Sequence, residues 1–162
     1  MTPAPDRDQL LAADDETLSA GCEFEFCKGS GNGGQKRNKT SSAVRVRHLA
    51  TGLTAEDCSE RSQHRNRAAA LAKLRMELAL HLRRLPAQPP ERSVTALEHP
   101  DYPMWCARVL DVFEEHGFDH KPAAEALAVS PTALVKLLAR DPRLFQFVNQ
   151  ERARRGLTIL RR

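Results

Sequence analysis

The sequence is poor in the features that mark membrane, secreted and metal-binding proteins. No apolar run approaches the roughly 20 residues that span a bilayer. The first residues are acidic and Pro-rich, without the basic and apolar regions of a signal peptide. Only four cysteines occur, and none forms a C-x-x-C pair, so neither a disulfide scaffold nor a structural zinc site is expected. We therefore expect a cytoplasmic protein without membrane contact, metal or cofactor.

Aromatic residues are also scarce, at 5% of 162 residues, so a core of Ala, Leu and Val is expected. The net charge of +4 conceals an asymmetry along the chain. Residues 1–27 carry a net charge of −6, residues 28–92 of +9 and residues 93–162 of +1. The basic middle third suggests a polyanionic partner, with nucleic acid the first candidate. By composition alone, a solvated basic surface is an equally good explanation.

Two stretches of the first half alternate in the manner of half-buried strands, Cys22–Cys27 and Ala43–His48. Residues 53–58 are expected to return as a partner strand, and residues 1–20 to form a loose arm with a helical turn near residues 14–18. From about Ser62 the period becomes helical, and the helix must end before Pro86. Its apolar stripe consists of Leu71, Leu74, Leu78, Leu82 and Leu85. The residues expected in the core of the sheet are Phe24, Phe26, Val44 and Val46.

The sequence pattern of the second half predicts helices throughout. After a proline-rich linker, Asp101 is expected to cap a helix over residues 102–116, followed by a short helix over residues 121–127. The pairs Ser130-Pro131 and Asp141-Pro142 each predict a helix start. The predicted fold is therefore α+β. A small domain with a short sheet and one long helix spans residues 1–85, the linker residues 86–92, and an all-α, helix-turn-helix-like unit residues 93–162.

A glycine-rich loop lies between the first two predicted strands. A phosphate-binding P-loop starting at Gly29 requires Lys where Gln35 stands. A dinucleotide fingerprint requires a helix directly after the loop, and here a strand follows. A flexible hairpin connection remains compatible with glycine and asparagine alone.

The loop and its surroundings together resemble a known family. Gly33-Gly34-Gln35 is followed by Asn38-Lys39-Thr40, by a strand reading Ser-Ala-Val-Arg over residues 42–45, and by a His-x-x-Thr-Gly turn over residues 48–52. Glu60-Arg61-Ser62-Gln63 and Asn66 complete the set. This ordered series resembles the peptidyl-hydrolase domain of class I peptide chain release factors, and most closely their codon-independent, ribosome-rescue members. No segment of the sequence resembles the codon-reading domain of that family.

The resemblance implies hydrolysis of the ester between a nascent peptide and tRNA, with Gly33, Gly34 and Gln35 as catalytic residues. The implied partners are peptidyl-tRNA and the ribosome at the peptidyl-transferase centre of its large subunit, where this protein would act as a monomer. His48 is expected to be structural. The candidates for contacts to ribosomal RNA and tRNA phosphates are Lys36, Arg37, Lys39, Arg45, Arg47, Arg61, Arg65 and Arg67.

Residues 123–134 are typical of a helix-turn-helix, whose second helix can enter a nucleic-acid groove. Thr132, Lys136 and Arg140 are predicted on its exposed side. A helical bundle that packs or binds protein explains the same pattern. The alternative function is therefore a non-catalytic nucleic-acid-binding protein that uses this unit. Arg152, Arg154, Arg155, Arg161 and Arg162 form a thinner basic end than the tail of rescue members.

Overall fold

The chain consists of two units, residues 1–78 and residues 79–162. The computed structural model describes residues 6–27, 42–91, 93–94 and 96–161. The predicted division into residues 1–85, 86–92 and 93–162 stays a prediction. Each unit has its own buried apolar residues.

The first unit begins with two short helices, α1 (Arg7–Ala12) and α2 (Asp15–Ala20). Asp6 accepts a hydrogen bond from the Asp8 backbone N–H at 3.0 Å, and Asp14 accepts one from the Thr17 N–H at 2.7 Å. These carboxylates satisfy backbone donors that have no partner within a helix. The expectation of a loose arm is therefore wrong over residues 7–12, because an aspartate cap and a buried leucine stabilise α1 there.

The described residues of this unit also form a three-stranded antiparallel sheet in the order β1-β2-β3. Strand β1 is Cys22–Cys27, β2 is Ala43–His48 and β3 is Thr54–Asp57. The first two strands match the predicted bounds, and the third lies within the predicted residues 53–58. Val44 and Val46 are fully buried, as predicted. Phe26 is 52% exposed, so the prediction that it belongs to the core is wrong; β1 is an edge strand and Phe26 lies near its end.

The long helix α3 (Gln63–His81) supplies most of the buried leucines of the first unit. Leu71, Leu74 and Leu78 are buried, as the stripe predicts. The helix ends at His81, before Leu82 and Leu85, and Leu85 is 55% exposed. The prediction that these two leucines extend the helical stripe is therefore wrong. At the end of α3 the Arg83 guanidinium donates to the carbonyls of Ala79 and Leu82. A helical conformation is also disfavoured at Leu85, because Pro86 follows it.

The second unit contains α4 (Tyr102–Glu115), α5 (His120–Ala126), α6 (Pro131–Leu138) and α7 (Pro142–Arg154). Ser130 caps α6 through the Ala133 N–H, as its sequence pair with Pro131 predicts. Asp101 precedes α4, but its side chain makes no capping hydrogen bond within the described part of the chain. No helix among the described residues is long and apolar enough to cross a membrane.

Among the buried charged groups of the second unit are the carboxylate of Asp141 and the guanidinium of Arg152. Asp141 caps α7 through the Arg143 N–H at 2.8 Å and accepts the Tyr102 hydroxyl of α4 at 3.0 Å. Arg152 donates to the carbonyl oxygens of Thr158 and Phe118. Both charged groups therefore have the partners that burial requires. The buried apolar residues around them include Trp105, Val109, Val112, Phe113, Leu134, Leu138, Leu144 and Val148.

Candidate functional site

The glycine-rich connection begins and ends at neighbouring positions of the sheet. Cys27 at the end of β1 pairs with Ala43 at the start of β2. The sequence between these strands therefore leaves and re-enters the sheet at the same end of the β1–β2 pair. The predicted catalytic residues Gly33, Gly34 and Gln35 and the predicted contacts Lys36, Arg37 and Lys39 lie within it, outside the residues that the structure describes.

Asn66 joins the end of this connection to the start of α3. Its side chain is fully buried. Its Nδ2 donates to the Ser42 carbonyl at 2.6 Å and to the Glu60 carbonyl at 2.9 Å, and its Oδ1 accepts from the Glu60 N–H at 2.9 Å. Both amide hydrogens and the amide oxygen are thus used. One side chain therefore sets the position of the residue before β2 relative to the segment before α3.

The segment before α3 contains the Glu-Arg-Ser-Gln motif. The Ser62 hydroxyl accepts from the Arg65 N–H at 3.3 Å, and the Ser62 carbonyl accepts from the Asn66 N–H at 3.0 Å. Ser62 thus caps the helix that carries Asn66. Glu60 forms an ion pair with Arg65 at 3.8 Å on the surface. Glu60 and Ser62 of the motif thus have structural roles, whereas Arg61 is exposed.

The His-x-x-Thr-Gly motif builds the turn between β2 and β3. The Thr51 hydroxyl lies 2.9 Å from His48 Nδ1 and accepts from the Leu53 N–H at 3.3 Å. Gly52 has a φ of +73°, which a side chain disfavours. His48 is buried, and burial lowers the pKa of its imidazole below the ordinary value. These contacts give His48 a structural role in the hairpin, in agreement with the sequence prediction.

Two predicted RNA contacts lie on the exposed face of β2. Arg45 stands between two carboxylates, with nitrogen–oxygen distances of 3.2 Å to Glu56 and 3.6 Å to Glu25. Arg47 pairs in register with Glu23 and Thr54, but no described carboxylate lies within 4 Å of its guanidinium. The charge of Arg45 is therefore partly balanced within the sheet, whereas that of Arg47 faces solvent.

The other described candidates begin or precede α3. Arg61, Arg65 and Arg67 are all exposed. The Arg67 guanidinium lies 4.4 Å from the centre of the Phe24 ring, a cation–π contact. It also lines an open groove of about 560 Å³ beside α2. The side chain of Arg67 thus covers part of β1 while its charge remains accessible.

Asp57, a buried carboxylate, ties β3 to the middle of α3. Its Oδ2 lies 2.7 Å from Lys73 Nζ, and its Oδ1 accepts from the Ser59 N–H and hydroxyl. Burial raises the pKa of Asp57, but the hydrogen bonds from Lys73 and Ser59 outweigh it and hold the pKa below the ordinary value. The sequence does not reveal this pair, because its partners are distant in the chain and neither belongs to a recognisable motif.

The first unit thus holds Arg45, Arg47, Arg61, Arg65 and Arg67 on its surface, while internal hydrogen bonds place the ends of the glycine-rich connection. Among the described residues, no group of three His, Cys, Asp or Glu side chains could hold a metal ion. The arrangement can offer guanidinium groups to phosphates near the base of the connection.

Comparison with known proteins finds a matching family and several similar proteins. A family model described as the RF-1 domain matches residues 16–101, just over half of the chain. Peptide chain release factor 1 of Methylibium petroleiphilum is 51% identical over 74 residues, which cover 43% of this chain and 21% of that protein. Peptide chain release factor 1 of Erythrobacter litoralis is 43% identical over 83 residues, which cover 51% and 22%. The chain thus spans about a fifth of the length of these relatives.

Proposed function

The chain belongs to the RF-1 domain family, and on that premise we propose that it hydrolyses the ester of peptidyl-tRNA on the ribosome. The observation that carries the proposal is the family match over residues 16–101, which includes Gly33-Gly34-Gln35. The proposed setting is the cytoplasm, where the protein acts as a monomer at the peptidyl-transferase centre of the large subunit. Neither a metal nor a cofactor takes part.

The proposed chemistry depends on position rather than on an activated side chain. Gly33 and Gly34 have no Cβ, so the backbone can approach the tRNA end closely. The Gln35 N–H then donates to the charge that develops on the oxyanion or on the leaving 3′ oxygen. The Gln35 side chain places the attacking water and excludes larger nucleophiles. No group with a shifted pKa is needed for this role.

The described contacts support the proposal by explaining how the connection is held at its base. Asn66 bonds the residue before β2, and Ser62 caps the helix that carries Asn66. Guanidinium groups near this base are suited to phosphates of ribosomal RNA and tRNA. We propose the first unit's RNA contacts at Arg45, Arg47, Arg61, Arg65 and Arg67, together with Lys36, Arg37 and Lys39.

The finer part of the proposal is release without codon recognition, as in the rescue of stalled ribosomes. It rests on the sequence resemblance to family members that lack a codon-reading domain. The test is the release of labelled peptide from purified ribosomes that hold peptidyl-tRNA. One set of ribosomes carries a message truncated in the A site, and the other a stop codon. Release on the truncated message is the expected result, and release at stop codons alone would contradict codon independence.

Variants at one position test the proposed roles of Gln35. Gln35→Ala removes the side chain and is expected to abolish release while ribosome binding survives. Gln35→Pro removes the backbone N–H together with the side chain; because the loss of one such donor typically lowers a rate on the order of 10²–10³-fold, its release should be no higher than that of Gln35→Ala. Gln88→Ala, an exposed glutamine outside the RF-1 domain motifs, is the matched control and should release at the wild-type rate. Absence of release by the wild-type protein on both messages, with RNA binding retained, would favour either the non-catalytic alternative or hydrolysis of peptidyl-tRNA on a split large subunit.

A further inference from the structure

The second unit contains two short helices joined by a four-residue turn, the arrangement of a helix-turn-helix. Helices α5 and α6 pack against each other, with Ala123, Ala124 and Leu134 buried at 0–1% exposure. The turn between them, residues 127–130, includes Ala128 with a φ of +54°. This left-handed conformation is sterically unfavourable for a residue with a Cβ. The turn is therefore held by the packing of the two helices.

The outward face of α6 and the turn after it is polar and basic. Thr132, Lys136 and Arg140 are four residues apart, and all three are exposed. Residues 126–140 contain no Asp or Glu. No described carboxylate lies within 4 Å of Lys136 or Arg140. We call the surface formed by Thr132, Lys136 and Arg140 the α6 face.

Two other cations of the same unit, Arg154 and Arg155, are balanced internally. Arg154 lies 2.5 Å from Glu151, and Arg155 lies within 3.1 Å of carboxylates of Glu151 and Glu114. An external anion must compete with these carboxylates for Arg154 and Arg155. At Lys136 and Arg140 it meets no such competitor among the described residues. The α6 face is therefore the better place for an external anion.

The α6 face also lacks what a protein partner would need. The exposed large apolar residues of the described chain are Phe26, Leu49, Leu85, Leu97 and Ile159, and none of them lies on α5 or α6. Protein interfaces are enriched in aromatic and apolar residues at their centres and depleted in Lys. A hydroxyl, an ammonium and a guanidinium on one face suit phosphate and sugar oxygens instead.

We propose that the α6 face binds the backbone of structured RNA and gives this chain a second RNA contact besides that of the RF-1 domain. The choice of RNA over DNA rests on the proposed function, because the substrate complex of that reaction is built of RNA. Two cations alone provide weak binding. Connected to the RF-1 domain in one chain, they add to its affinity by raising the local concentration of the second contact.

The proposal predicts a specific salt dependence. Each phosphate contact contributes roughly 0.7–0.9 to the slope of log affinity against log salt. Lys136→Gln combined with Arg140→Gln should therefore lower that slope by about 1.4–1.8 and weaken binding several-fold at low salt. The loss should be similar for different RNA sequences, since backbone contacts carry no sequence information.

The experiment measures fluorescence anisotropy of a labelled RNA hairpin with a stem of about 16 base pairs, a length typical of double-stranded RNA sites. The full chain is titrated at several KCl concentrations, beside a DNA duplex of the same sequence. Arg154→Gln is the matched control for Lys136→Gln, because it removes one exposed but ion-paired charge from the same unit. Circular dichroism confirms that each variant is folded.

The expected result is a lower slope for the Lys136 and Arg140 variants and an almost unchanged slope for Arg154→Gln. Equal losses for Lys136→Gln and Arg154→Gln would overturn the proposal, because net charge alone would then explain them. Tighter binding of the DNA duplex would overturn the assignment to RNA. These outcomes are independent of peptide release. A chain that binds RNA through the α6 face but releases no peptide would refute the proposed hydrolysis and not this contact.

Discussion

Among single residues, Asn66 connects the family motifs to the part of the sheet where the proposed catalytic connection ends. It is fully buried, and its amide satisfies three backbone groups from two segments. A buried polar group is stabilising only while its partners match its donors and acceptors. The identity of this side chain therefore has consequences for both stability and the proposed activity.

Replacing Asn66 by Asp tests this role with almost no change of shape. The amide nitrogen, which donates to the carbonyls of Ser42 and Glu60, becomes an oxygen that repels them. We expect a loss of about 2–3 kcal/mol in the free energy of unfolding and a lower rate of peptide release on saturating ribosomes. Urea unfolding and the release assay provide the two measurements.

Asn149→Asp is the matched control for this change. Asn149 also bridges a backbone group, since its amide donates to and accepts from Leu160 at 3.2 and 2.7 Å. This control should lower stability while release at a temperature where the protein is folded stays near the wild-type rate. Equal effects of the two variants on release would show that Asn66 acts through stability alone.

Ala128 adopts a backbone conformation that is unfavourable for a residue with a Cβ. With a φ of +54°, replacement by Gly removes the steric cost of the left-handed region, which is about 1–2 kcal/mol for a residue with a Cβ. Part of this gain is offset by the greater entropy of Gly in the unfolded chain. We expect Ala128→Gly to stabilise the protein by about 0.5–1 kcal/mol in chemical denaturation. Ala68→Gly, in the exposed interior of α3, should instead destabilise it by about 1 kcal/mol.

Arg45 and Arg47 allow a comparison of two arginines two residues apart on one strand. Arg45 is held between two carboxylates, and Arg47 is not. We expect Arg47→Gln to lower the salt slope of RNA binding by nearly one unit, and Arg45→Gln to lower it by less. Titration of the same labelled RNA at several salt concentrations measures both slopes. A larger effect at Arg45 would mean that its carboxylate partners release it when RNA binds.

At the scale of elements, the hairpin of β2 and β3 couples stability to pH. Burial lowers the pKa of His48 in the folded state, so the unfolded chain binds a proton more readily than the folded chain does. The stability associated with neutral His48 is fully present above the unfolded pKa of about 6.5 and declines as the pH falls below it. Between pH 7 and pH 5 the wild-type protein should therefore lose stability.

His48→Gln tests this source of pH dependence, because glutamine does not titrate. The difference between the free energies of unfolding at pH 7 and pH 5 should be smaller in this variant than in the wild-type protein. His64→Gln, which changes an exposed histidine on α3, should leave that difference almost unchanged. An unchanged difference in His48→Gln would show that other groups control stability in this range. Asp57, whose pKa is lowered, contributes at more acidic pH instead.

At the scale of the whole molecule, each of the two units has buried residues of its own. Leu74 is fully buried in the first unit and Leu138 in the second. Replacing a buried leucine by alanine typically costs about 2–5 kcal/mol. We expect Leu74→Ala to accelerate amide hydrogen exchange mainly in residues 42–78, and Leu138→Ala mainly in residues 102–154. Equal acceleration of both regions by either variant would indicate that the chain unfolds as one cooperative unit.

Much of this architecture is predictable from local sequence. Period-two alternation locates β1 and β2, and the pairs Ser130-Pro131 and Asp141-Pro142 locate the starts of α6 and α7. These signals are local because a strand face or a helix cap involves residues only a few positions apart. The motifs around Gly33-Gly34-Gln35 likewise identify the family, since their order and spacing are properties of the sequence itself.

The failures of sequence reasoning occur where distant residues decide the outcome. Phe26 fits the apolar face of β1, but its exposure depends on what lies beside an edge strand. Leu85 continues the spacing of the leucine stripe, but α3 ends at His81. Helix α1 gives little periodic signal in six residues, and its stability comes from a cap and from burial of Leu11.

The sequence by itself therefore determines the family, the order of the strands and of the helices that follow them, and the residues proposed for catalysis. Only the tertiary structure decides which charges remain available: Arg45 is balanced by Glu25 and Glu56, whereas Lys136 has no described counter-charge. It also decides that Asn66 bonds Ser42, a residue 24 positions away. The physical reason is that hydrogen bonds and ion pairs act over a few ångströms, and only folding brings partners so distant in the chain within that range.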